Sequence, residues 1–125
     1  MLKVKTKLGI SAIAGIGLFA DEFIPAGTII WEYTAGMDKT FPDIYHEDPL
    51  ERAFLEVYCY RYDGMYILCI DNGRFINHSD DPNTDDKNGR VTMARRDIQP
   101  GEEITSDYRD FGKTPEDLEF NMIKI

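Results

Sequence analysis

The sequence predicts a mainly β domain of small antiparallel sheets with one inserted helix. Turn-forming glycines recur along the 125-residue chain, and short runs rich in β-branched and aromatic residues lie between them. Such runs favour strands, and the glycines favour tight turns between the strands. The predicted strands are Lys3–Thr6, Ile10–Ile13, Thr28–Tyr33, Tyr66–Ile70, Arg90–Ala94 and Glu103–Thr105.

One segment breaks this pattern and predicts an α-helix. Asp48 is a suitable N-cap, Pro49 suits the first helical position and Glu51 the third. An apolar stripe with helical spacing follows and is expected to face the core: Leu50, Ala53, Phe54, Val57 and Tyr58. We expect a helix over 48–62 that ends before Gly64, and a shorter helix that begins near Thr114-Pro115.

The length and charge of the chain limit its organisation and its partners. A chain of 125 residues predicts a single domain, 1–125. The formal net charge of −9 at pH 7 disfavours direct binding to nucleic acid and favours a lysine-rich protein partner, although solubility alone also explains it. No apolar run approaches the roughly 20 residues of a membrane span, and residues 1–7 do not resemble a secretory signal. We therefore expect no membrane partner and an intracellular location, cytoplasmic or nuclear, including a host nucleus if the chain is viral.

The cysteines and the aspartate cluster do not predict a metal site. Cys59 and Cys69 lie in apolar contexts and lack the paired spacing of zinc ligands, so we expect two buried thiols. A calcium loop that begins at Asp81 would have Asp86 in place of the glycine at its sixth position and Thr92 in place of glutamate at its twelfth. We expect this segment to be a solvated turn around Pro82-Asn83.

Three short motifs carry most of the chemical information, although each is ambiguous alone. They are Gly15-Ile16-Gly17-Leu18-Phe19-Ala20, Gly73-Arg74-Phe75-Ile76-Asn77-His78-Ser79-Asp80-Asp81-Pro82-Asn83 and Gly101-Glu102-Glu103-Ile104-Thr105-Ser106-Asp107-Tyr108. The paired glycines allow a ligand to approach the backbone, but they also form ordinary turns and do not match a Rossmann fingerprint. An isolated histidine is most often a structural hydrogen-bonding residue, and an isolated tyrosine most often packs in a core.

Taken together and in this order, the motifs resemble those of the SET-domain protein lysine methyltransferases. The resemblance implies a β-clip fold in which small sheets surround a threaded C-terminal segment, a pseudoknot. It also implies a variable helical insert at about 37–65 and a C-terminal tail at 109–125. The cysteine-rich segments that flank many relatives are not present in the sequence, which therefore resembles a free-standing minimal SET domain of bacterial or viral type.

The resemblance implies transfer of a methyl group from S-adenosylmethionine to a lysine of a basic protein, such as a histone. The alternative is a SET-like module that binds a peptide or the cofactor without turnover. A homodimer is compatible with the sequence, which has no clear interface signature.

The resemblance also implies which residues bind the cofactor. The main chain of Gly15, Ile16 and Gly17 would contact it, and Asn77 and His78 would bind its amino-acid end and its adenine. A neutral imidazole has one donor and one acceptor, which suits an adenine edge. Two further residues are less certain in role: Arg74 is either structural or cofactor-binding, and Phe111 is the expected cover of the adenine, with Phe120 as a weaker candidate.

The catalytic residues follow from the same comparison. Tyr108 corresponds to the essential active-site tyrosine, and Tyr33 to a tyrosine that lines the substrate channel. Ser106 stands where relatives commonly have tyrosine or phenylalanine, and two interpretations remain open. Either the space admits di- and trimethylated lysine, or another tyrosine fills it; the candidates are Tyr58, Tyr60, Tyr62 and Tyr66.

Overall fold

The computed structural model describes residues 1–42, 48–62, 64–86 and 89–111, and for Phe111 only the backbone. In these residues it contains one α-helix, α1 (Pro49–Tyr58), and 3₁₀ turns at Asn72–Phe75 and Tyr108–Phe111. The strands are β1 (Thr6–Ile10), β2 (Ile16–Ala20), β3 (Ile29–Glu32), β4 (Lys39–Phe41), β5 (Cys59–Tyr62), β6 (Met65–Leu68), β7 (Asn77–His78), β8 (Thr84–Asp85), β9 (Val91–Ala94) and β10 (Thr105–Ser106).

The strands form four small sheets, which confirms the predicted mainly β fold. β1 and β2 form an antiparallel hairpin, and the orders β3-β9-β8 and β4-β6-β5 describe two antiparallel three-stranded sheets. The fourth sheet differs from the prediction because β10 pairs with β7 in parallel. A parallel pair needs a long connection between its strands. Short-range pattern therefore could not reveal this pairing.

The C-terminal segment lies between β2 and β7. Glu103 forms a bridge with Phe19, and the N–H of Ile104 donates to the carbonyl oxygen of Leu18 over 2.8 Å. On the other side, Ser106 pairs with His78. Residues 103–106 therefore hold together segments that are far apart in the sequence, as the expected threading of this segment requires.

The core is small and aliphatic. It is contributed by β2, β3, β9, the loops beside them and the C-terminal segment, and its buried members are Leu18, Ala20, Ile24, Ile30, Ala94, Ile98 and Ile104. Burial of such side chains contributes about 1.5–3 kcal/mol for each larger one, so this cluster is the main source of stability for the sheets that carry the site.

The prediction of a strand over Ile10–Ile13 is wrong. β1 ends at Ile10, and the chain then turns, with the N–H of Ser11 donating to the carbonyl oxygen of Gly15 over 2.8 Å. The Ser11 hydroxyl accepts hydrogen bonds from the N–H groups of Ile13 and Ala14 at 2.9 and 3.2 Å. This local bonding competes with strand pairing. For the same hairpin, the predicted first strand is shifted: β1 begins at Thr6 instead of Lys3.

The helix is confirmed, but its end and its buried face differ from the prediction. Asp48 is the N-cap and accepts from the N–H groups of Leu50 and Glu51 at 2.8 and 3.3 Å. The helix ends at Tyr58, because residues 59–62 pair with β6 as strand β5. Leu55, which lies outside the predicted stripe, is the buried residue of α1.

The predicted apolar stripe of α1 is therefore not a core face. Leu50 is 82% exposed and Phe54 is 44% exposed. Phe54 instead packs on Tyr58, and Tyr58 packs edge-on against Phe75. The stripe forms the wall of a surface cavity, which is described below. The helix predicted near Thr114-Pro115 lies outside the described residues.

Two further observations concern expectations from composition. Cys59 and Cys69 are both buried thiols. In the part of the chain that the structure describes, no helix has the length and apolarity needed to cross a bilayer.

Candidate functional site

The side chain of Asn77 connects the first and the third motif. Its amide nitrogen lies 3.0 Å from the carbonyl oxygen of Ala14, 3.2 Å from that of Ile16 and 3.1 Å from Oε2 of Glu103. Asn77 is 3% exposed. A buried amide that is satisfied by main-chain carbonyls fixes the position of the backbone that carries them. Asn77 therefore holds the Gly15–Gly17 turn against the C-terminal segment.

Glu103 completes this connection, and its role was missed by sequence reasoning. Its carboxylate accepts from the Ser11 hydroxyl at 2.8 and 2.9 Å and from Asn77. A Cβ on Gly17 would lie 2.6 Å from Oε2 and 2.8 Å from Cδ of Glu103. The second glycine of the turn is thus required by the packing of a carboxylate, whereas Gly15 adopts a positive φ of 46°.

Both ring nitrogens of His78 are engaged within the protein. Nδ1 accepts from the N–H of Tyr108 at 3.0 Å, and Nε2 lies 2.7 Å from Oδ1 of Asp80. Since Nδ1 accepts a hydrogen bond, it carries no proton, and the ring proton is on Nε2. Nε2 then donates a hydrogen bond to Asp80, so the geometry specifies a neutral tautomer. From the sequence we expected the imidazole edge to bind an adenine. In the structure both ring nitrogens already have protein partners, so this edge is not offered to an adenine.

Tyr108 is held by its main chain and by its hydroxyl. The hydroxyl donates to the carbonyl oxygen of Ile76, and the ring lies 5.5 Å from the His78 ring between centroids. Burial, followed by the neighbouring Tyr58 and Glu103, raises the pKa of Tyr108 above its usual range. Tyr108 is therefore a neutral phenol at physiological pH and an orienting group instead of a strong base.

Tyr108 faces a narrow cavity of about 70 Å³, here called the inner cavity. On a criterion of about 10–15 Å³ for each water, this space accommodates roughly five waters or a few heavy atoms in a row, and not a nucleoside. Its walls include aromatic, polar and aliphatic side chains: Trp31, Val57, Tyr58, Tyr60, Arg74, Ile76, Asp86, Thr92, Ser106 and Tyr108.

Ser106 lies in the wall of the inner cavity. It is 4% exposed, and its hydroxyl lies 3.2 Å from that of Thr84. Of the tyrosines considered as replacements for a bulky residue here, Tyr58 and Tyr60 line the same cavity. Tyr60 donates its hydroxyl to the carbonyl oxygen of Gly89 at 3.0 Å, so its polar end is directed to the backbone.

Asp86 was not predicted as a site residue, and its environment corrects the expectation of a solvated turn. Asp80 and Asp81 are exposed, but Asp86 is 3% exposed and lines the inner cavity. Burial raises the pKa of Asp86, while hydrogen bonds from Thr92 and its neighbours act in the opposite direction. Its signal in the sequence was an acidic residue beside a predicted strand, which spacing alone could not distinguish from a surface charge.

A second, more open cavity of about 400 Å³ lies between the Gly15 turn and α1, here called the outer cavity. It is lined by Gly15, Ile16, Ala53, Phe54, Val57, Tyr58 and Phe75. This volume lies within the range of small-molecule sites, and its aromatic walls suit a planar ring. Val57 and Tyr58 line both cavities, so the two spaces adjoin across this pair.

Two predicted site residues, Tyr33 and Arg74, lie elsewhere or have other partners. Tyr33 lines a separate concavity with Tyr62 and Arg90, and its ring lies 5.4 Å from the Arg90 guanidinium. The structure therefore does not bring Tyr33 together with Tyr108. Arg74 donates to the carbonyl oxygens of residues 70 and 71 at 3.3 and 2.9 Å, which favours its structural role. The side chain of Phe111 and all of Phe120 lie outside the described residues.

No group of three or more histidine, cysteine, aspartate or glutamate residues that could hold a metal ion occurs within the described residues.

Comparison with known proteins gives the family. The SET domain model matches residues 15–109. The H3 lysine-4 specific histone-lysine N-methyltransferase of Cryptococcus neoformans var. neoformans is 35% identical over 120 residues, which cover 86% of this chain and 8% of that protein. The histone-lysine N-methyltransferase trr of Drosophila melanogaster is 33% identical over 110 residues, which cover 79% of this chain and 4% of that protein. The chain therefore spans less than a tenth of the length of these relatives.

Solved structures agree in fold. A humanized mutant of the Chaetomium thermophilum Polycomb Repressive Complex 2, bound to the inhibitor GSK126, has a TM-score of 0.63 and 26% identity and covers 86% of this chain and 15% of that chain. KRYPTONITE in complex with mCHH DNA, H3(1-15) peptide and SAH has a TM-score of 0.60 and 25% identity and covers 93% of this chain and 25% of that chain. With the family model matched from Gly15 to Arg109 and the fold shared with these structures, the chain belongs to the SET-domain family.

Proposed function

We propose that this chain is a protein-lysine N-methyltransferase that uses S-adenosylmethionine. The observation that carries the proposal is the convergence of the three motifs. Asn77, in the second motif, donates hydrogen bonds to carbonyl oxygens at the Gly15–Gly17 turn of the first motif. The neighbouring His78 accepts a hydrogen bond from the backbone N–H of Tyr108 in the third motif. The names of the relatives as histone-lysine N-methyltransferases and the SAH in the KRYPTONITE structure support this assignment.

The outer cavity fits the cofactor. Its volume of about 400 Å³ suits a nucleoside with an amino-acid tail, and the aromatic rings of Tyr58 and Phe75 provide faces for the base. The main chain at Gly15 and Ile16 is exposed beside this space. When bound, S-adenosylmethionine supplies an electrophilic methyl group on a sulfonium sulfur. The residues that would hold it are Gly15, Ile16, Gly17, Asn77, Tyr58 and Phe75, with the aromatic pair as the base platform.

The inner cavity fits the target lysine. A lysine side chain has five heavy atoms beyond its Cα, a number that matches the roughly five water-sized positions in this space. The Tyr108 hydroxyl donates a hydrogen bond to the carbonyl oxygen of Ile76, and a phenol oxygen can also accept one from an amine N–H. Tyr58 packs between the two cavities. Alignment of this kind is the main contribution such a site makes, and it can supply about 7–11 kcal/mol.

The substrate is proposed from charge and from the relatives. A net charge of −9 favours basic polypeptides over nucleic acid. Two relatives act on histone lysine by name, and one similar structure contains an H3(1-15) peptide. We therefore take the N-terminal tail of histone H3 as the first substrate to test, with other basic proteins as a panel. An intracellular location, cytoplasmic or nuclear, follows from this proposal.

The test is transfer of a labelled methyl group from S-adenosylmethionine to the H3(1–15) peptide and to a panel of basic proteins, with mass spectrometry to locate the modified residue. We expect labelled lysine with the wild-type chain. The Tyr108→Phe variant should fold and should lose about 10²-fold in rate, the scale of a misplaced reacting group.

Calorimetry with S-adenosylmethionine distinguishes the alternative. Binding of the cofactor without transfer to any lysine-rich substrate would contradict the enzyme proposal and support a non-catalytic SET-like module. An unchanged rate in Tyr108→Phe would contradict the role of this residue while leaving the activity established.

A further inference from the structure

The inner cavity contains a carboxylate for which the proposed chemistry has so far given no role. Asp86 directly follows β8 and lies in the cavity wall with Ser106 and Tyr108. It is 3% exposed. A buried carboxylate is costly unless hydrogen bonds and a positive charge compensate its loss of water. The groups around Asp86 therefore indicate its purpose.

The hydrogen bonds that the described residues donate to Asp86 do not saturate it. The Thr92 hydroxyl donates to Oδ1. The Thr84 hydroxyl lies 3.2 Å from Oδ2, but its single proton is better placed on the carbonyl oxygen of Thr105 at 2.7 Å. The Ser106 hydroxyl also stabilises the charged form of Asp86. Since an ionised carboxylate accepts about four hydrogen bonds, lone pairs remain for a donor that enters the cavity.

The charge of Asp86 is not neutralised by the residues described. None of the ion pairs among the described residues includes Asp86. The nearby acid Asp110 disfavours its charge further. Two other groups facing the cavity, Tyr60 and Tyr108, are neutral because burial raises the pKa of each. Arg74 is the other charged residue of the cavity wall, but its guanidinium donates to the carbonyl oxygens of residues 70 and 71, and among the described residues it forms no ion pair with Asp86. The inner cavity is thus a narrow space in which a carboxylate and polar hydroxyls are available to a slender cation.

We propose that Asp86 is the site that recognises the ammonium group of the target lysine. This inference rests on the proposed function and deepens it, because it assigns the group that selects a cation for the inner cavity. The lysine N–H groups would donate to Oδ2 of Asp86 and to the oxygen of Tyr108. The aliphatic stem would pack along Tyr58 and Tyr60.

The same carboxylate also favours the transfer itself. The lysine, after losing one proton to solvent, attacks the methyl carbon with its nitrogen lone pair, the carbon–sulfur bond breaks and its electron pair stays on sulfur. The positive charge thus moves from sulfur to nitrogen, toward Asp86. Relative to the neutral amine, which carries no charge, a fixed negative group near the atom that gains positive charge stabilises the transition state.

A binding experiment that needs no catalytic activity tests the inference. Wild-type protein is titrated with n-butylammonium and with the neutral isostere 1-butanol, and binding is followed by NMR. We expect the ammonium to bind about tenfold or more tightly than the alcohol, the scale of a desolvated charge contact. In Asp86→Asn the preference should fall to about twofold or less, and a second neutral variant, Asp86→Ser, should behave alike.

The matched control is Asp81→Asn, which removes the same charge from an exposed side chain. Asp81 is 84% exposed in its side chain and pairs with Arg95 at the surface. This variant should keep the wild-type preference for the ammonium. An equal loss in Asp81→Asn and Asp86→Asn, or an undiminished preference in folded Asp86→Asn, would overturn the inference.

If methyl transfer to the H3(1–15) peptide is found, kinetics give a second readout. Asp86→Asn should raise the peptide KM and lower kcat/KM by about tenfold or more, while the Kd for S-adenosylmethionine stays unchanged. Unchanged kinetics in that variant would overturn the inference and leave the enzyme proposal intact. Absence of transfer by wild type would contradict the proposed function, and the amine titration would still decide the role of Asp86.

Discussion

The N–H of Tyr108 donates a hydrogen bond to Nδ1 of His78 over 3.0 Å, although the two residues are 30 positions apart in the sequence. The parallel pairing of Ser106 with His78 brings the third motif to this point. The histidine side chain thus accepts a hydrogen bond from the tyrosine backbone and fixes the position of the tyrosine. Its position in the motif is explained by this hydrogen bond, and no direct contact of the imidazole with a ligand is needed.

Replacing His78 should therefore destabilise the C-terminal segment. His78→Leu leaves the partly buried N–H of Tyr108 without its acceptor, and we expect a loss of about 1–3 kcal/mol in the free energy of unfolding. Urea denaturation measures this loss. The matched change at the other ring nitrogen is Asp80→Asn, which should cost less than about 1 kcal/mol because Asp80 is 80% exposed in its side chain. Equal losses in the two variants would contradict the assigned roles.

Gly17→Ala should disconnect the Gly15 turn from the C-terminal segment. The new Cβ would lie 2.6 Å from Oε2 of Glu103 and would displace the carboxylate that bonds to Ser11 and Asn77. We expect a loss of about 1–3 kcal/mol in stability, together with weaker binding of S-adenosylmethionine.

A double-mutant cycle identifies the cause of that loss. In Gly17→Ala/Glu103→Ala the carboxylate is absent, so the two costs should be less than additive, by about 0.5–3 kcal/mol. Urea denaturation of the four proteins gives the coupling energy. Strict additivity would show that the glycine is required for another reason.

Gly89→Ala should be more damaging than an alanine at another glycine with positive φ. A Cβ on Gly89, whose φ is +69°, would lie 1.9 Å from the ring of Tyr62. At Gly27, whose φ is +85°, a Cβ would meet nothing within 4 Å. We expect Gly27→Ala to cost about 1–2 kcal/mol from backbone conformation alone and Gly89→Ala to cost more. Thermal unfolding measures both, and Tyr62→Ala should recover part of the difference. Equal costs would refute the steric explanation.

The effect of Asp86→Asn on the free energy of unfolding should be more favourable at neutral pH than in acid. Burial raises the pKa of Asp86 in the folded state above 3.8, its usual value, so the folded state binds this proton more tightly than the unfolded chain. The contribution of the carboxyl to stability is present below the unfolded pKa and is lost as the pH rises through the folded pKa. Asparagine does not titrate, so the variant escapes this loss.

The corresponding measurement is urea denaturation of wild type and Asp86→Asn at about pH 4 and about pH 7. The difference in the free energy of unfolding, variant minus wild type, should increase with pH. Groups that do not interact with Asp86 are the same in both proteins and cancel in the difference. A difference that is independent of pH would contradict the raised pKa. The predicted gain would also show that Asp86 is retained at a cost in stability, as expected of a functional residue.

Sequence reasoning succeeded where the responsible interactions are local or where a motif is distinctive. The N-cap at Asp48, the strands near Thr28 and Arg90 and the mainly β class follow from residues that are neighbours in the chain. It was wrong where distant pairing outweighed local preference. The predicted helix extends over residues 59–62, but the pairing of these residues with β6 makes them a strand.

The candidate site shows the same division. The resemblance of the motifs selected Tyr108, Ser106 and Asn77. The first two line the inner cavity, and Asn77 bonds to Glu103 in the same C-terminal segment. The resemblance did not select Glu103 or Asp86. Both are acidic residues, and in a sequence an acidic residue indicates a solvent-exposed position unless a partner is known.

The sequence by itself determined the family, the mainly β class and the three motifs, because residue identity and spacing are sufficient to specify them. Only the tertiary structure decided which carboxylates are buried, which nitrogen of the imidazole accepts, and that one serine and one aspartate share a cavity wall. Those properties depend on where segments that are distant along the chain come to lie, since burial and hydrogen bonding are set by neighbours in space.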